Sequence, residues 1–127
     1  PKYTKEELLA IFDSILFEGE YREEFKIKGK LAVTFKTRTA DETSFITNEV
    51  DTKSFNLVSS LQEYRALLNI ASSLVIYNTK DLSSLSFDER RTFVGKLPSV
   101  VAAAISNSLV EFDQKTDAAL REGEENF

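Results

Sequence analysis

Neither cysteine nor histidine occurs among the 127 residues, and methionine and tryptophan are missing too. The first two absences exclude disulfide frameworks, thiolate nucleophiles, imidazole bases and the usual zinc sites, so neither a metal nor a cofactor is expected. Lack of cysteine leaves the compartment open, because a reduced cytosolic chain and an assembled extracellular particle can both do without it. Glycine is scarce as well: there are four, in no phosphate-loop, dinucleotide or calcium-loop spacing. Long apolar runs are also lacking. Nothing approaches the roughly 20 residues that cross a bilayer, and the first segment, PKYTKEELLAIFDSILFEGE, carries acids throughout, unlike a secretory leader. The expectation is a soluble chain with no membrane partner.

With imidazole and thiol gone, acid–base chemistry is left to carboxylates of shifted pKa. Three adjacent pairs exist, Glu23 with Glu24, Asp41 with Glu42 and Asp88 with Glu89, but the first alternates across a strand and the others begin helices. Capping or solvation accounts for them. The helical serines Ser72, Ser73, Ser106 and Ser108 have no lysine one turn away to act as a base. No catalytic residue is assigned, and the chain is expected not to be an enzyme.

What is present is core material. Apolar residues make up 42% of the chain, with ten Phe and four Tyr, enough for one domain spanning residues 1–127 without staples. The net charge of −5 argues against general affinity for nucleic acid, although a local patch can override it.

Thr4 with Glu7 has the capping-box form, and Leu8, Ile11, Phe12 and Ile15 follow at helical steps, so the spacing predicts a helix over residues 5–17 stopped by Gly19. The period then becomes two. Phe25, Ile27, Leu31, Val33 and Phe35 are apolar while the residues between them are mostly charged, and Gly29 supplies a turn, giving an antiparallel hairpin over 21–38. A continuous bent strand is the competing reading. Thr39 with Glu42 forms a second capping box and opens a short helix, and residues 52–55 read as a joint. Residues 55–77 predict the longest clearly periodic helix, apolar on nearly two sides and therefore central, with the hairpin's apolar face covering the helices built around it. Ser86 with Glu89 begins another short helix that Gly95 ends, and Pro98 starts the last, along which Val101, Ile105, Leu109, Phe112, Thr116 and Leu120 form the inner stripe. The fold class is α+β, mostly helical: an N-terminal helix in 1–20, a hairpin in 21–38, about four helices in 40–122, and an acidic tail at 123–127, frayed or ordered only by a partner.

The strongest candidate surface is basic. Lys26, Lys28, Lys30, Lys36 and Arg38, with Arg22, should project from one hairpin face, interrupted only by Glu24. A solvated face is the ordinary explanation, and edge lysines also discourage unwanted strand pairing. A surface that follows phosphates, or one that docks an acidic protein, are the functional ones. Readers of single-stranded nucleic acid interleave exposed aromatics with such cations, whereas here the aromatics fall on the opposite face, so docking ranks above nucleic acid. Residues 111–125 carry six acids against Lys115 and Arg121, so the final helix is a second candidate surface. Tail meeting hairpin between copies would make a ring or a string.

The order of pieces, with FKTRTADE feeding a helix and then SLVIYNTKDLSSLSFDERRTFVGKLP, resembles the small tail-assembly chaperone and baseplate-hub type proteins of tailed bacteriophages over residues 21–127. The resemblance implies a non-enzymatic protein that binds other tail or baseplate proteins, in the virion or in the host cytoplasm during assembly. Such proteins often continue further, whereas this chain stops at EENF. A small nucleic-acid binder using the hairpin, and a small inhibitor of a host enzyme, are the alternatives.

Overall fold

The computed structural model describes residues 2–53 and 57–125. Their order is α1 (Lys5–Asp13), a π-helical turn (Ser14–Glu18), β1 (Arg22–Ile27), β2 (Leu31–Lys36), α2 (Ala40–Thr52), α3 (Val58–Ser73), β3 (Leu74–Tyr77), β4 (Lys80–Asp81), α4 (Phe87–Gly95) and α5 (Ser99–Glu125). The fold is α+β, with one antiparallel sheet ordered β1-β2-β3-β4.

The predicted hairpin is present in the register its alternation demands, Arg22 opposite Lys36 through Ile27 opposite Leu31. Its turn holds Lys28 at φ 53 and Gly29 at φ 68, and Lys30 N–H closes it on Ile27 O at 3.1 Å. Positive φ at both central residues gives the twist that lets two strands pair without splaying. Gly19, at φ 85, ends the first helical segment as expected. The capping boxes of α2 and α4 are complete in both directions. At α1 the Thr4 hydroxyl accepts from Glu7 N–H, while the Glu7 carboxylate reaches Lys115.

The long helix expected over 55–77 is corrected at its far end. Among the described residues α3 begins at Val58, and its expected start at Phe55, like the second half of the joint at 52–55, falls on residues 54–56, outside the described set. At its far end helix gives way to strand after Ser73. β3 pairs with β2 through Val33 opposite Tyr77, Thr34 opposite Ile76 and Phe35 opposite Leu74, with the register shifting between the last two. Val75 is thereby the extra residue of a bulge, and it is almost fully buried. The β-branched pair Val75 and Ile76 followed by Tyr77 favours a strand once β2 offers a partner. Asn78, at φ 56, then turns the chain into β4.

Of the helices, the last lies directly under the hairpin. The hairpin's apolar face rests on α5, where the Phe112 ring stands 6.0 Å from Tyr21, 6.2 Å from Phe25 and 5.8 Å from Phe35. Val33, Phe35, Ile70, Leu74, Leu82, Val94, Ile105, Leu109 and Phe112 form one buried core, so α3 enters it mainly through Ile70. A second, smaller core of Ile46, Val50 and Leu68 joins α2 to α3. The acidic tail does not fray at Gly123: α5 continues to Glu125, because Gly123 is buried against the Phe12 ring of α1. The tail's last two residues lie outside the described set.

Candidate interaction surface

The five basic residues of the hairpin are divided by the fold. Lys26 lies on the open face of β1 and Lys28 and Lys30 in the turn; all three are exposed, and among the described residues none has an ion-pair partner. They form a lysine finger at one end of the sheet. Arg22, on the same face, is paired with Glu20. Lys36 is only 12% exposed and donates to Glu42 Oε1 at 2.7 Å, the same oxygen that accepts the Thr39 N–H of the α2 cap. Burial raises the Glu42 pKa, but the hydrogen bonds from Lys36 and Thr39 outweigh it and leave the carboxyl below its ordinary range.

Arg38 turns away from the sheet face altogether. Its guanidinium donates to Ser73 Oγ and to Asp113 Oδ2, each at 2.7 Å, tying the hairpin to the end of α3 and to α5. Burial pushes the Asp113 carboxyl up further than Arg38 pulls it down. The contact between basic hairpin and acidic tail considered above as a link between copies is thus made once inside a single chain.

A charged node missed by sequence reading lies under the hairpin. Lys115, 13% exposed, donates to Glu23 Oε1 at 2.9 Å and meets Glu7 Oε1 at 3.1 Å, while the Tyr21 hydroxyl donates to the same Glu23 oxygen. The node joins α1, β1 and α5. Its signal was present: Glu23 falls on the odd, core-facing positions of the alternation, where a lone carboxylate requires a partner. Burial, the hydrogen bond to Glu23 and the negative charge of Glu23 push the Tyr21 hydroxyl up to about 12. Burial favours neutral Lys115, but its hydrogen bonds to Glu23 and Glu7 prevail and hold its pKa above the ordinary lysine value.

Both groups bind their protons more tightly folded than unfolded. The contribution of Tyr21 to stability is therefore complete below the ordinary tyrosine value of about 10 and is lost as the pH climbs through about 12, while that of Lys115 outlasts it to higher pH. Urea midpoints measured from about pH 8 to pH 12 should fall most steeply above about 10, and the Tyr21→Phe variant should show a shallower decline. Equal slopes for the two proteins would show that Tyr21 does not couple to folding.

Several depressions mark the rest of the described surface. A cleft of about 450 Å³ lies between the starts of α2 and α4, lined by Asp41, Glu42, Phe45, Ser86, Phe87 and Asp88. A groove of about 720 Å³ runs between α3 and α5, with Leu67 and Ile70 on one wall and Ala102 and Ala103 on the other. A polar hollow of about 340 Å³ surrounds Arg38, Asp113 and Asp117. Phe17 and Val100 are large apolar side chains left open, at 78% and 76% exposure. Among the described residues no group of carboxylates is placed to hold a metal ion, and no helix is long and apolar enough to cross a membrane.

No family model, curated protein or solved structure matches the chain.

Proposed function

We propose that this chain is a non-enzymatic tail or baseplate protein of a tailed bacteriophage, acting through contacts with other proteins during assembly or in the finished particle. The setting rests on the sequence resemblance over residues 21–127. The mode of action rests on one observation: of the five basic hairpin residues, Lys26, Lys28 and Lys30 alone are exposed and unpaired among the described residues. Three uncompensated lysines at one end of the hairpin, in a chain of net charge −5, suit an acidic protein surface. Nucleic acid fits less well, because the hairpin rings Phe25 and Phe35 are packed with Phe112 and leave no stacking platform beside the cations.

Mass spectrometry of purified virions, with affinity capture from infected cells, tests the reading. Tail components should co-purify with the native chain, and the triple variant Lys26→Gln, Lys28→Gln, Lys30→Gln should lose them. Undiminished capture by that variant would remove the finger as the contact. A mobility shift of DNA or RNA at low salt, lost as salt rises, would replace the protein reading by the nucleic-acid one.

A further inference from the structure

The cleft between the starts of α2 and α4 is built oddly for a surface that stays empty. Phe45, 44% exposed, and Phe87 meet edge to face with centroids 5.1 Å apart and planes at 73°, so ring surface faces solvent between two helix starts. The capping boxes divide the acids around these rings. Glu42 and Glu89 turn back to their caps, while Asp41 and Asp88 stay exposed and without ion pairs among the described residues. The three carboxylates that line the cleft outweigh the roughly half positive charge that each helix start carries, even with Lys36 set against Glu42. Apolar ring surface rimmed by free carboxylates suits one kind of side chain, a lysine whose stem lies along a ring and whose ammonium reaches the rim.

The chain itself carries the complementary group. Lys26, Lys28 and Lys30 are exposed and unpaired, as Asp41 and Asp88 are. They cannot meet within one molecule. The finger lies at the start of β2 and the cleft beyond its end, and the strand from Leu31 to Lys36 alone spans about 17 Å. We propose that a second copy of this chain docks its lysine finger into the α2/α4 cleft. The contact is heterologous, one surface meeting a different one, so every open assembly keeps one free finger at one end and one free cleft at the other, and it grows until it closes as a ring. This rests on the reading of the finger as a protein-binding element and names its partner.

Sedimentation velocity over a range of concentrations provides the test. At low salt the mean mass should rise with concentration, and it should return to the monomer near 1 M salt, where screening acts within about 3 Å. The triple finger variant and the cleft variant Asp41→Asn, Asp88→Asn alter exposed side chains outside the caps and should keep the native circular dichroism. Each alone should weaken self-association at least tenfold. Mixed in equal amounts, they should stop at a dimer, because one supplies only a finger and the other only a cleft. A chain that stays monomeric at every concentration, or a cleft variant that assembles like the native chain, overturns the inference. Should either result occur while the finger variant still loses its tail partners, the inference falls and the proposed function stands; undiminished capture by the finger variant together with weakened self-association removes the finger as the contact to tail partners and leaves the docking between copies standing.

Discussion

Replacing Phe112 by alanine should cost about 3–5 kcal/mol of folding free energy, the usual range for removing a fully enclosed phenylalanine. The side chain has no exposure and lies against the rings of Tyr21, Phe25 and Phe35, so a single truncation hollows out the contact between α5 and the hairpin. Domains of ordinary size are stable by about 5–15 kcal/mol, and a loss of this size consumes a large part of that margin. The damage should centre on the sheet, because a hairpin has little stability apart from the surface it covers. Urea unfolding followed by circular dichroism measures the loss, and Phe112→Leu, which keeps most of the volume, should cost much less. A loss below about 1 kcal/mol for alanine would mean that the sheet does not depend on this ring.

Substitutions at Gly123 should invert an ordinary rule. Glycine to alanine inside a helix normally gains about 1 kcal/mol. Here a β-carbon would stand 2.2–2.5 Å from the Cδ1, Cγ and Cε1 atoms of Phe12, and overpacking of that kind costs about 1–3 kcal/mol. Alanine should therefore lower stability, and leucine should lower it further. The cause can be isolated by pairing Gly123→Ala with Phe12→Leu: the double variant should recover part of the loss, as a thermodynamic cycle between touching residues requires. If Gly123→Ala stabilises the chain, α1 and α5 do not need the close approach seen here.

The features legible in the sequence are those whose cause is local. Period-two alternation with Gly29 placed the hairpin and its turn, since alternation sends Phe25, Val33 and Phe35 to one side. Capping boxes at Thr39 and Ser86 marked two helix starts, because the whole bonding pattern lies within four residues. β3 was hidden by coincidence: Ala71 and Val75 stand four apart and prolong the helical stripe of α3, and only a pairing with β2, far back in the chain, turns LVIY into a strand. The candidate surface was half legible for the same reason. Nothing near Arg38 in sequence indicates that Asp113, 75 positions away, takes its guanidinium, so it counted with the free lysines. Lys28 and Lys30 were placed correctly because a turn exposes its own side chains whatever surrounds it.

The sheet ends on one side in β1, a six-residue strand whose outer backbone groups have no neighbour in the order β1-β2-β3-β4. Strands of that length invite fibre growth when left bare. Two copies laid antiparallel edge to edge and centred on Glu24 would set Glu24 against its own counterpart and Arg22 against Lys26, like against like at every outward position. That register repels itself, so bringing many copies together does not favour fibre growth through it.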